Sequence, residues 1–352
     1  MRITTAGESH GKGLFAIIEG RPSGIKLDLD KIDRALARRQ SGYGRGGRQS
    51  IECDKVEILS GVRNLVTLGS PLALAVWNRD YENWKEYMAP EGCDTSARCL
   101  TKVRPGHADL TGMKKFAQDD ARNILERASA RETAARVAAG TICRFLLEEL
   151  GIFVAGKVCS VGGRDGDEDE NKVLIDETRK RGDTLGGVIE LRICGLKSGF
   201  GSCMTYSEKL DSCLTAAIMS VQAVKSVEVG DGFALAQKYG SEAHDELYPE
   251  KGKIVRKTNH AGGIEGGMSN GEEIVLRAAM KPIPTLMKGL ATVDTATGEA
   301  ARAATERSDM CAVTACEVVL ESAICAELCK VVLKRLGGDT MSEIIERYGR
   351  LS

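Results

Sequence analysis

Apolar residues recur at helical spacing in some stretches of the chain and at strand spacing in others. Ala135, Ala139, Ile142, Leu146 and Leu150 fall on one face of a helical period, which predicts a helix from Ala130 to Leu150 stopped by Gly151. Ser129, followed three residues later by Glu132, has the sequence of a capping box at its start. Shorter helices fit Asp30 to Gln40 and Glu208 to Val221. From Cys311 to Leu336 the chain is apolar over most of its circumference, as in a buried central helix, and it closes with Lys334, Arg335 and Gly337. Strand-like runs are Val56 to Leu59, Leu72 to Trp77, Ile152 to Val161 and Gly187 to Cys194. The acidic stretch Asp165 to Glu170 reads most simply as a solvated loop.

These elements lack the regular alternation of a doubly wound sheet, so the pattern favours a mixed α+β fold. No internal repeat, low-complexity tract or Pro-rich linker divides the 352 residues, and one continuous domain over residues 1–352 is the simpler expectation. Hydrophobic residues make up 42% and charged residues 28%, which fits a globular chain. No apolar run approaches the roughly 20 residues a membrane helix needs. The start, Met1-Arg2-Ile3-Thr4-Thr5, is unlike a signal peptide, so a cytoplasmic location without a membrane partner is expected. The formal net charge of −1 argues against bulk attraction to nucleic acid, so any basic site must be local. The 12 cysteines are scattered with no CxxC pair, and Cys325 and Cys329, one helical turn apart, read as buried small hydrophobes and not as metal ligands.

Two nucleotide motifs fail on inspection. Gly42, Gly44 and Gly47 match GxGxxG, but helix-like residues precede them and no helical period follows, the reverse of a dinucleotide fold. Gly7 to Lys12 resembles a Walker loop with one residue too few, followed by Gly13. Gly44-Arg45-Gly46-Gly47-Arg48 imitates an RNA-binding RGG segment, yet it occurs once, beside a single aromatic, Tyr43.

The chemistry concentrates elsewhere. Arg34, Arg38, Arg39, Arg45 and Arg48 crowd a span with no acidic residue, among glycines that allow close backbone approach. Guanidinium forks match the paired oxygens of phosphate or carboxylate, so the span suits a small polyanion; an exposed basic loop is the plainer alternative. Two of the four histidines, His10 in Gly7-Glu8-Ser9-His10-Gly11 and His107 in Arg104-Pro105-Gly106-His107-Ala108-Asp109, sit among turn formers and could move protons near neutral pH. Asp309 stands where it could cap the last core helix.

Together the blocks GESHG, RRQxGYGRG from Arg38 to Gly46, RPGHAD, SARET, GGxxGG from Gly262, KPIPT and RSD, in this order, resemble the chorismate synthase family. The resemblance runs from Gly7 to Asp309, and the GYGRG form resembles the bacterial branch typified by Gram-positive enzymes. It implies a homotetramer of single-domain subunits, each with helices between two antiparallel sheets. It also implies the 1,4-elimination of phosphate from 5-enolpyruvylshikimate 3-phosphate with reduced FMN as cofactor, and leaves NADPH open as a reductant.

Carried over by motif, His10 would protonate the leaving phosphate, His107 would protonate the flavin near N1, and Asp309 with Ser308 would assist hydrogen transfer at N5. Arg39, Arg45, Arg48 and Arg307 would hold the substrate's anionic groups. The FMN contacts implied are Arg127, Ala128, Ser129, Gln222, Ala223, Gly266, Lys281, Pro282, Ile283, Pro284, Thr285 and Arg307. Two positions depart from the family pattern: Ala128 stands where a second Ser is common, and Gln222 where Asn is common. The alternatives are a flavin or nicotinamide oxidoreductase, with net electron transfer to product, and, more remotely, an RNA-binding module.

Overall fold

Strands with one buried face build two antiparallel four-stranded sheets. The computed structural model describes residues 1–46, 51–305 and 309–351. In the first sheet the spatial order is Arg2–Ala6, Gly13–Glu19, Leu72–Trp77 and Glu57–Ser60, with Ala6 opposite Phe15 and Ile18 opposite Leu72. In the second it is Val224–Val229, Ile274–Met280, Gly187–Cys194 and Phe153–Val161. The strand Ile274–Met280 alternates cleanly, burying Ile274, Leu276, Ala278 and Met280, as a period of two requires.

Helices fill the space between the sheets. Thr133–Glu149 packs on Gly13–Glu19 and Leu72–Trp77; Val313–Leu336 packs on Phe153–Val161 and Gly187–Cys194; and the two helices lie against each other. One apolar cluster joins the layers, from Leu14, Leu74 and Val76 through Val137, Ile142, Leu146, Ile324 and Leu328 to Ile189, Leu191 and Leu276. Each such fully buried side chain contributes about 1.5–3 kcal/mol. The mixed α+β expectation from the sequence therefore agrees with the architecture. No helix among the described residues is long and apolar enough to cross a membrane.

At the helix crossing, a Cβ on Gly140 would stand only 2.6 Å from the Ser322 Cβ and closer still to the Ser322 carbonyl. Gly140→Ala should therefore push the helices apart and cost roughly 1–3 kcal/mol, read as a lowered thermal midpoint. A midpoint at or above that of the parent chain would contradict this packing.

Several local expectations change. The helix predicted from Ala130 opens as a 3₁₀ turn, Ala130–Glu132, before Thr133–Glu149, and Ser129 Oγ accepts from Arg131 N at 3.3 Å. No capping box forms, because the Glu132 carboxylate is drawn to Gln222 Nε2 at 2.7 Å. The acidic stretch is not all loop: Asp167 caps a helix, Glu168–Lys180, by accepting from Asp169 N and Glu170 N, and its acidic first turn suits the helix dipole. Asp309 does not cap the Val313–Leu336 helix, whose cap is Ala312 with no side-chain bond. Cys325 and Cys329 are buried in this helix, and burial pushes the thiols of Cys316 and Cys325 up to about 12.

Candidate active site

The first hairpin leaves residues 7–12 as a loop at one end of its sheet. Gly7, with φ +107°, packs so tightly on Gly13 and Leu14 that a Cβ would collide with their backbone. Asn78, just past the Leu72–Trp77 strand, donates its amide to the carbonyls of Glu8, Ser9 and Gly11 at 3.1, 3.2 and 2.7 Å. The loop is thereby fixed and holds His10 against Glu126. His10 Nδ1 lies 2.9 and 3.1 Å from the two carboxylate oxygens, and the His10 amide donates to Oε2 at 2.7 Å. Burial alone would raise the Glu126 carboxyl, but the His10 bonds and the Arg122 charge hold it below its ordinary value. An ionised Glu126 accepts the Nδ1 proton and leaves Nε2 as the nitrogen available to a ligand.

His107 is held by the same logic. Its Nδ1 bonds Asp109, while Arg104 donates to Asp109 from Nε at 2.9 Å and from Nη2 at 3.0 Å, and to Thr285 Oγ1 at 3.0 Å. Burial would raise the Asp109 carboxyl, yet hydrogen bonds from His107 and Arg104 hold it far below its ordinary range. Thr285 belongs to the turn after Ile274–Met280, where Lys281 N donates to Ala223 O at 2.9 Å and Lys281 Nζ to Gly106 O at 2.5 Å. Ala223 has φ +68°, a left-handed conformation rare for a residue with a Cβ and consistent with a constrained site.

A third group lies behind the wall. Asp54, fully buried, receives Arg39 Nη2 at 2.7 Å and Arg131 Nη1 at 2.6 and 2.8 Å, and Arg131 Nε donates to Asn78 Oδ1 at 2.8 Å. Burial pushes the Arg39 guanidinium down from its ordinary value, against the pull of Asp54. Asp309 closes the far side, accepting from Gly46 N at 2.6 Å and pairing with Arg45 Nη1 at 2.9 Å.

These groups surround one cavity of about 560 Å³. Arg39, Arg45, Arg104, Arg131 and Lys281 line it against the carboxylates Glu52 and Asp309, with both histidines present. Leu125, Ala128, Val221, Met280, Ile283, Ala315 and Val319 supply apolar wall. Buried nitrogens without a hydrogen-bond partner remain on Arg39, Arg45 and Arg131, as does Gln222 Oε1. Unpaired donors are costly to bury, so this wall is suited to anionic oxygen.

The cavity brings together His10, His107, Arg39, Arg45, Asp309, Ala128, Ser129, Gln222, Ala223, Lys281, Ile283, Pro284 and Thr285. Three expected residues lie off its wall. Arg127 turns to the carbonyls of Gly7 and Thr5, Gly266 sits between the short strands Ile264–Glu265 and Met268–Ser269, and Pro282 is not among the lining residues. Arg48, Arg307 and Ser308 fall outside the described residues. Arg34 and Arg38, grouped with the arginine cluster on charge alone, face away: they pair with Asp28 and with Glu317 and Glu321. Sequence reasoning assigned no role to Glu126, Asp109, Arg104, Arg131 or Asp54. For Arg104 and Asp109 a signal existed, since both belong to the RPGHAD block beside His107.

Glu126 and Asp109 also predict an acid limb in stability. Their folded pKa values are depressed, so their contribution is fully present above the unfolded values of about 4.3 and 3.9 and is lost as pH falls through the folded ones. The thermal midpoint should hold near neutrality and drop below about pH 4, and Asp109→Asn should make that drop shallower. An equally steep drop in the variant would contradict the assignment.

A family model described as chorismate synthase matches residues 1–333. A chorismate synthase of Thermoanaerobacter pseudethanolicus is 52% identical over 349 residues, covering 99% of this chain and 97% of the relative. One of Alkaliphilus metalliredigens is 49% identical, with 97% of each chain covered. A solved structure described as the crystal structure of chorismate synthase aligns with a TM-score of 0.79 at 37% identity, over 99% of this chain and 96% of the other.

Proposed function

The chain belongs to the chorismate synthase family of lyases, and from that premise we propose that its cavity binds 5-enolpyruvylshikimate 3-phosphate beside reduced FMN and eliminates phosphate to give chorismate. The observation that carries this reading is a cavity with five permanent cations and two histidines, each histidine bonded through Nδ1 to a buried carboxylate. The substrate carries two carboxylates and a phosphate, which need several positive partners once withdrawn from water. Relatives about half identical over the full length do not favour an oxidoreductase or an RNA-binding module.

The residues present fit a flavin. The volume lies within the usual ligand range of about 300–1,000 Å³. The apolar wall suits a flat ring system, and the buried Gln222 Oε1 is an acceptor for a ring N–H. Ala128, Ser129, Gln222, Ala223 and the turn Lys281 to Thr285 would hold the cofactor. Reduced flavin, when bound, supplies electron density to an allylic system whose ring C–H has no neighbouring carbonyl to acidify it.

The protein's own groups then divide the work. Arg39 and Arg45 orient the anionic groups of the substrate, and His10 gives a proton from Nε2 to the departing phosphate. His107, anchored by Asp109, holds a proton at the cofactor edge, and Asp309 would assist the transfer of the ring hydrogen. Arg48, Arg307 and Ser308 take the roles their motifs imply. The chain acts as one domain in a cytoplasmic homotetramer, in which exposed apolar side chains such as Met204, Tyr206, Phe233, Tyr239 and Ile254 would be available for burial.

The test is an anaerobic assay with chemically reduced FMN, with and without NADPH. Chorismate should form with reduced FMN alone, and oxidised FMN with NADPH reads whether the chain reduces its own flavin. No chorismate with reduced FMN would overturn the proposal.

A further inference from the structure

His10 is held by more than Glu126. Its ring stacks on Trp84, with centroids 4.0 Å apart and planes 30° from parallel. Trp84 is not part of the cavity wall. It sits between the short helical turns Arg79–Asn83 and Lys85–Met88, where cations hold it in turn: Arg98 Cζ lies 4.5 Å and Arg122 Cζ 5.2 Å from its ring. Tyr87 meets its edge at 6.4 Å, and Arg98 also covers the Tyr87 ring. Arg122 closes the circuit, donating from Nε to Arg98 O at 3.1 Å and from Nη1 to Glu126 Oε1 at 3.4 Å.

The path His10, Trp84, Arg122, Glu126 and back to His10 is therefore closed. We propose that Trp84 is a positioning residue for His10, setting the plane of the imidazole so that Nε2 points at the leaving phosphate. This rests on His10 being the acid for that phosphate.

The two contacts do different things. Glu126 fixes where Nδ1 lies and that it carries a proton, but one nitrogen held at a carboxylate leaves the ring free to tilt. The broad indole face removes that tilt at no polar cost, since an imidazole ring, neutral or protonated, is attracted to it. A proton donor must stand within about 2.6–3.2 Å of its acceptor, and a misplacement near 1 Å can cost about 100-fold in rate. The plainer alternative is that Trp84 only packs its own segment. That alternative predicts a loss of stability without a selective loss of kcat.

The experiment is an anaerobic kinetic comparison with reduced FMN. Trp84→Leu should lower kcat roughly 10- to 100-fold while leaving KM and the Kd for oxidised FMN within about three-fold. Trp84→Phe, which keeps a flat face, should restore most of the loss, and Trp84→Met replaces the Leu variant if the latter does not fold. In a His10→Ala background, Trp84→Leu should cost nothing further, because its effect passes through His10. Parent-like kcat in Trp84→Leu, or an equal further loss in the double variant, would overturn the inference while leaving the function intact. Parent-like turnover in His10→Ala would instead remove the reading on which it rests.

Discussion

Replacement of His10 by Ala is expected to slow phosphate elimination about 10²- to 10⁴-fold, the usual contribution of a positioned acid, while oxidised FMN binds with nearly unchanged affinity. The geometry makes the split specific. His10 enters the cavity from the Gly7–Lys12 loop, and its backbone and Nδ1 bond Glu126, so its Nε2 is the group lost to the ligand. Three carbonyls of that loop are clipped by Asn78 independently of the imidazole. The cavity should therefore keep its shape in the variant. Single-turnover phosphate release with reduced FMN reads the effect, and an unchanged rate would refute His10 as the acid.

The largest loss of stability is expected from Asp54→Ala. Asp54 is fully buried and carries the opposite charge for two guanidiniums whose side chains are only 5% and 6% exposed. Removing it leaves Arg39 without its carboxylate and Arg131 with only the longer pairing to Glu52 Oε2 at 3.5 Å, and breaking such a buried pair costs roughly 3–5 kcal/mol. Asp54 N also donates to Gln40 Oε1 at 3.1 Å, which ties residues 52–54 to the end of the Leu29–Gln40 helix. The variant should thus show both a lowered thermal midpoint and weaker substrate binding through Arg39. Asp54→Asn, which keeps the shape without the charge, should fall between the two. An unchanged midpoint in Asp54→Ala would contradict the buried-network account.

What was legible in the sequence was what short-range periodicity encodes. The Val313–Leu336 helix announced itself by apolar residues around its circumference and by the Gly337 stop, where φ is +61°. The Glu168–Lys180 helix did not, because it buries only Ile175 and Thr178 and its acidic first turn looked like a solvated loop. Pairings distant in sequence were beyond local rules. Asp309 had the chemistry of a cap, yet its carboxylate meets the amide of Gly46, 263 residues away. Glu126 meets His10 across 116 residues, and Glu132 gives up the predicted capping role for Gln222 across 90. For Asp309 and Glu132 a charged contact at the cavity won over a helix-end bond worth about 1 kcal/mol. Motif resemblance supplied the reaction, whereas the buried carboxylates behind His10, His107 and Arg39 became visible only in three dimensions.

On the proposed reading, that wall of cations and oriented histidines serves the departure of an anion, in an elimination with no net redox change. The direct measurement counts products against reductant: under strict anaerobiosis, phosphate released and chorismate formed are compared with reduced FMN remaining. Many equivalents of chorismate and phosphate, in equal amounts, with the reduced flavin undiminished, are predicted. Consumption of one reduced flavin per chorismate would contradict the account.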